Sequence, residues 1–157
     1  MYKTGMPGIE FITKELKADF LDQSGNWVQR TIEVRIDPIT LRTSRITPHR
    51  ALEKERGTQI LYSPPEPDLD EKNCPFCPGN RNKMTPCLKP EISGQGRLVH
   101  NRSVLFPNLY PYTEWSAVSL FGDTHHVEIG TADPLSYRDS FINCSCYLER
   151  VKKADPK

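Results

Sequence analysis

Prolines and glycines interrupt this chain so often that few of its segments are long enough to become helices. Fourteen prolines and nine glycines fall mostly in the first two thirds of the 157 residues. Proline removes a backbone donor and glycine loosens the chain, so that stretch is read as loops and short strands. An apolar fraction of 36% permits a single core of modest size, and one irregular, loop-heavy domain is expected.

Between the interruptions, Ile9 to Thr13 and Leu16 to Leu21 read as short strands, and Gln23-Ser24-Gly25-Asn26 supplies turn chemistry. From Trp27 to Ile36, Val28, Thr31, Glu33 and Arg35 interleave with Ile32, Val34 and Ile36, the alternation of a strand with one wet face. Asp37-Pro38 makes a turn, and Thr43 to Thr47 is a further short strand. Ser63 to Asn73 is a linker-like loop. After a polar stretch from Asn82 to Gly96, Arg97 to Val99, Val104 to Phe106 and Trp115 to Phe121 have β-like composition. The clearest helix starts at Asp133-Pro134, where Asp caps the free amides and Pro suits the first helical position. Tyr137, Phe141, Cys144, Leu148 and Val151 recur at helical spacing and predict the buried face. Lys152 and Lys153 suit the negative end of the helix, and Pro156 stops it.

Charge narrows the function classes. Twenty-one basic and 20 acidic residues in mixed order leave a net charge of +1, without the broad field that would attract nucleic acid or an anionic membrane. Met1 to Gly8 lacks the apolar core of a secretory signal, and no uncharged apolar run is long enough to cross a bilayer. A cytoplasmic address is the expectation. The five cysteines, Cys74, Cys77, Cys87, Cys144 and Cys146, are an odd set, which favours reduced thiols or metal ligands over a disulfide framework.

Cys74 and Cys77 stand two residues apart, a spacing that places both sulfurs on one tetrahedral metal ion. The rival use is a redox dithiol at a helix start. Pro78-Gly79-Asn80 is expected to stop a helix growing from the motif, which favours the metal. Further ligands must come from His49, His100, His125, His126, Cys87, Cys144 or Cys146. His125 and His126 face opposite ways if they continue a strand, so one of them at most reaches the ion. Cys144 and Cys146 read as small core residues of the final helix, and Cys87 as a surface thiol.

Four ordered segments resemble the galactose-1-phosphate uridylyltransferases of the histidine-triad superfamily. They are Asp37-Pro38-Ile39-Thr40 with Thr47-Pro48-His49-Arg50-Ala51; Cys74-Pro75-Phe76-Cys77-Pro78-Gly79-Asn80; Val104 to Pro111; and Ala117 to His125. The resemblance implies transfer of a uridylyl group between UDP-glucose and a hexose 1-phosphate through a nucleotidyl-histidine. By position it makes Cys74, Cys77 and His125 metal ligands, for zinc or, since thiolate and imidazole accept it, iron. It lines a uridine pocket with Phe76, Phe106, Asn108, Tyr110 and Val118, and sets Arg50 against a phosphate. Leu109 and Glu53 depart from the pattern, standing where polar and basic residues are expected.

The nucleophile of that family lies in a His-Pro-His segment, and no His-x-His occurs in these residues. Residues 1–157 are therefore expected to be the amino-terminal portion of such an enzyme, inactive alone, with a homodimer compatible. The expected fold is α+β: an antiparallel, partly open sheet with one substantial C-terminal helix, part of a histidine-triad-like unit. The alternatives are a non-catalytic zinc-stabilised binding module and a related enzyme using another nucleotide sugar.

Overall fold

Turn chemistry folds the first strands into a meander. β1 (Ile12–Leu21), β2 (Trp27–Ile36) and β3 (Thr43–Ile46) pair antiparallel in the order β1-β2-β3. The Asp22 carboxylate accepts the amides of Ser24 and Asn26, each at 2.8 Å, while Gly25 takes a φ of +81°. Asp37 closes the second turn by accepting the amides of Ile39 at 2.8 Å and Thr40 at 3.2 Å. These are the side-chain-to-backbone bonds that make Asp a turn residue. The computed structural model describes residues 10–46, 71–127 and 130–156. Ile9, Thr47 and most of the Ser63 to Asn73 loop lie outside them.

β1 is one strand where the sequence suggested two. Lys14 and Glu15, at the expected break, pair with Val34 and Glu33; the ladder carries the backbone through them while their side chains stay exposed. The alternation in β2 is observed, with Ile32 and Val34 buried beside Ala18 and Phe20 of β1.

The second sheet holds β4 (Leu98–His100), β5 (Ser103–Pro107) and β6 (Ala117–Leu120), again antiparallel and in chain order. In chain order the short helix α1 (Pro78–Met84) stands between the strands of the two sheets. A reciprocal pair of backbone bonds between Leu21 and Cys87, at 3.0 and 2.7 Å, ties the end of β1 to the chain entering the second sheet. The expected α+β architecture is present, with its antiparallel strands divided between two three-stranded sheets.

The long helix α2 (Pro134–Ala154) packs on β4, β5 and β6. Its start is as expected: Asp133 accepts the amide of Leu135 at 3.0 Å, with Pro134 in the first turn. The buried face differs from the predicted one. Phe141 and Leu148 are 70% and 63% exposed, whereas Asp139, Ser140, Asn143 and Tyr147 are buried. At 3.6 residues per turn these four residues centre about 100° around the helix from the apolar stripe.

Polar groups under the helix explain the rotation. Asn143 Nδ2 donates to the carbonyls of Leu98 and Ser103 at 3.2 and 3.3 Å and lies 3.2 Å from Ser103 Oγ. Ser140 and Ser103 both bond Ser119 of β6. Turning Phe141 inward would bury these oxygens without donors, which costs more than one apolar contact returns. The apolar core proper, Leu88, Ile92, Leu98, Leu105 and Tyr147, is flanked by Trp115, Ala117, Cys144 and Val151. Among the described residues, no helix is long and apolar enough to cross a membrane.

Two consequences can be measured. Replacing Asn143 by Ala is expected to lower unfolding stability by about 1–3 kcal/mol in denaturant titration, because it strands buried acceptors. The Asp139 carboxyl is held below its ordinary value by its bond to the Arg138 guanidinium, against the opposing effect of burial and with help from Asn101. A depressed carboxyl contributes stability above its unfolded pKa and loses it as pH falls through the folded one. Thermal melts of Asp139→Asn from about pH 5 to 2 should show a shallower acid decline than the parent.

Candidate metal centre

The Cys74 to Cys77 segment is a turn set by its neighbours. Cys77 donates its amide to the Cys74 carbonyl at 3.4 Å, and Asn80 Nδ2 reaches back to the carbonyls of Lys72 and Cys74 at 2.7 and 3.0 Å. A helix does grow from the motif, contrary to the reading of Pro78-Gly79-Asn80 as a stop: α1 starts at Pro78 with Cys77 as its N-cap. Proline is tolerated there because its missing N–H would have had no intrahelical partner. The Cys77 side chain makes no cap hydrogen bond.

The third donor arrives from 48 residues away. His125 Nδ1 lies 3.2 Å from Cys77 Sγ, and the donor atoms of Cys74, Cys77 and His125 all fall within 4.8 Å of one another. In a tetrahedral zinc site the thiolate–imidazole edge is about 3.5 Å, so little movement separates this arrangement from a bound one. A redox dithiol has no need of that imidazole. β6 ends at Leu120, so His125 and His126 do not continue a strand. His126 is exposed on the same cavity wall.

The thiols are unequal. Burial works against ionisation of Cys74, but the amides of Phe76 and Cys77, with the Cys77 and His125 side chains, draw its thiol below the ordinary value. Burial and the neighbouring Cys74 push the Cys77 thiol up, against the opposing charge of Arg81. The remaining cysteines stand apart from the cluster. Cys87 is half-buried rather than a surface thiol and accepts from Arg97 Nη1 at 3.3 Å; Cys144 flanks the helix core as expected, whereas Cys146 is exposed and not a core residue.

The cluster opens on a cavity of about 760 Å³, whose walls include Cys74, Phe76, Cys77, His125, Phe121 and Tyr137. Phe121 and Tyr137 meet at 4.6 Å between ring centres, and Arg102 pairs with Asp133 at 2.7 Å on the same lining. This is the size and mixture of aromatic and polar groups that suits a small-molecule site.

The residues expected around a base are only partly brought together. Phe76, 45% exposed, stacks at 6.0 Å on Phe106, which is 1% exposed and has the Arg97 guanidinium on its ring at 5.8 Å. Val118 is the cross-strand partner of Phe106. Asn108 sits on a separate small recess with Trp115 and Tyr147, and its Oδ1 accepts the amide of Tyr110 at 3.0 Å. Arg50 and His49 lie outside the described residues. Sequence reasoning missed Arg81, Asp123 and the Phe121–Tyr137 pair; taking Pro78 as a first helical residue would have placed Arg81 one turn beyond Cys77.

An uncharacterized protein of Archaeoglobus fulgidus is 30% identical over 138 residues, which cover 88% of this chain. The chain spans 40% of the length of that relative. No protein-family model matches the chain. No solved structure matches it.

The chain should bind a single equivalent of Zn²⁺ or Co²⁺. Cys74→Ser, Cys77→Ser and His125→Ala should each weaken binding in a chelator competition by more than about 100-fold, beyond the cost of losing a supporting group. Cys87→Ser and Cys146→Ser should leave it unchanged.

Proposed function

We propose that this chain is the metal-holding, nucleotide-binding portion of a nucleotidyltransferase resembling galactose-1-phosphate uridylyltransferase. The observation that carries the reading is the convergence of Cys74, Cys77 and His125 on the wall of a cavity that also displays the exposed ring of Phe76. The donor set, two thiolates and an imidazole, is one that zinc favours and iron accepts. A zinc ion held there supplies a cross-link between the cysteine turn and the segment after β6.

Phe76 offers one face to a nucleobase, with Phe106 and Val118 supporting it from beneath. Arg50 serves the phosphate, a role matched to the planar fork of a guanidinium, and Asn108 and Tyr110 are assigned to the nucleotide by the resemblance alone. The substrates are a nucleotide sugar, UDP-glucose in the first instance, and a hexose 1-phosphate, handled in the cytoplasm by a protein compatible with a homodimer. The transfer runs through a nucleotidyl-histidine, whose nucleophile belongs to a His-Pro-His segment beyond these residues. The 157 residues alone turn over nothing.

One observation favours a second reading, a zinc-stabilised binding module without nucleotide chemistry. Asn108 commits its oxygen to its own turn and lies on a different recess from Phe76. Calorimetric titration with UMP separates the two. The nucleotide reading expects saturable binding that weakens by about 5–100-fold in Phe76→Ala, the range for a base stacked on an aromatic ring; metal binding with no response to UMP supports the module.

A further inference from the structure

The metal donors belong to two segments that no strand pairing joins. The second-sheet ladder ends at Leu120, so its register does not set where His125 lies relative to the cysteine turn. Arg81 bridges the gap. Its side chain is 7% exposed, and Nη2 meets Asp123 Oδ1 at 2.7 Å, two residues before His125. The same guanidinium donates from Nε to the carbonyl of Phe76 at 3.1 Å, between the two cysteines.

Arg81 is itself anchored. Its amide donates to the Cys77 carbonyl at 2.9 Å. Its carbonyl accepts from Thr85 Oγ1 at 2.6 Å and from Arg97 Nη2 at 2.8 Å, and Arg97 leads directly into β4. A planar guanidinium holds its Nε and Nη2 atoms in a fixed relation: Nε donates to the Phe76 carbonyl, while Nη2 meets Asp123 by charge and proximity, out of line for a hydrogen bond. The position of the Phe76 carbonyl and that of Asp123 are thereby coupled through one rigid group. Asp123 is 71% exposed, so its contact with a buried cation is not a by-product of core packing.

We infer that Arg81 and Asp123 form a latch that positions His125 over the Cys74–Cys77 pair and so sets the affinity of the metal centre. This rests on reading Cys74, Cys77 and His125 as metal ligands. Arg81 and Asp123 touch no metal; they act as positioning residues through the backbone on either side of the site. Partners of this kind orient ligands, and their loss is typically felt as a 10–100-fold drop in metal affinity.

The test is Co²⁺ titration of the 157-residue chain, read by ligand-field absorption and by competition with a chelator. Asp123→Asn should bind Co²⁺ about 10–100-fold more weakly, with a spectrum shifted towards that of His125→Ala. Asp123→Glu should recover most of the affinity, and metal-free Asp123→Asn, whose melting temperature falls because the Arg81 guanidinium loses its counter-charge, should still be folded at the titration temperature by far-UV circular dichroism. Arg81→Lys keeps the charge but loses the fork, and should also weaken binding. Parental affinity and spectrum in Asp123→Asn would overturn the latch alone, as would an affinity in Asp123→Glu as low as that of Asp123→Asn. A parent chain that binds no Co²⁺ overturns the metal centre, and the latch with it.

Discussion

Strand β5 is covered on both faces, and the rest of the second half of the molecule is arranged around that fact. Successive side chains of a strand point to opposite sides. Ser103 and Leu105 face α2, where they meet Asn143 and the apolar core, and both are essentially inaccessible. Phe106 points the other way and is sealed by Phe76 and Arg97. Covering the Phe106 ring brings Phe76, and so the turn between Cys74 and Cys77, down onto the sheet. The hydrophobic demand of one aromatic side chain thereby positions two thiols.

The helix side of the same strand shows how a chain of modest apolar content builds an interior. Beneath α2 the contacts are as much polar as apolar: Asn143, Ser140, Ser119 and Ser103 satisfy one another and the carbonyls of Leu98 and Ser103. Such a network is stable only when its members find partners, so it fixes the rotation of the helix more tightly than a greasy stripe would. Tyr147 completes the pattern. Its ring lies in the core, its hydroxyl donates to the Trp115 carbonyl at 3.1 Å, and burial pushes its pKa up to about 12, keeping the proton in place.

The candidate site combines residues of unequal legibility. Cys74 and Cys77 announce themselves by spacing, and His125 was among the few imidazoles to choose from, singled out by a family resemblance. Phe76, in the same segment, lines the cavity as the resemblance implies for its position. Arg81 carried no signal, because a buried, paired arginine is written with the same letter as a solvated one. Asn108 shows the converse: its place in a recognisable segment did not specify which recess it would face, since that depends on how the turn from Asn108 to Ser116 lies against β1 and α2.

Local chemistry decided what the sequence could decide alone. The alternation in β2, the Asp22 and Asp37 turns, the Asp133-Pro134 helix start and the cysteine spacing are each interactions among residues a few positions apart, whose partners are present in any window of the chain. The face of α2 that is buried, the meeting of His125 with Cys77 across 48 residues, and the pairing of Arg81 with Asp123 were left to the tertiary structure. Each depends on which donors and acceptors a distant strand or turn presents, and on the cost of leaving them unpaired away from water. That cost exists only once the surfaces have come together.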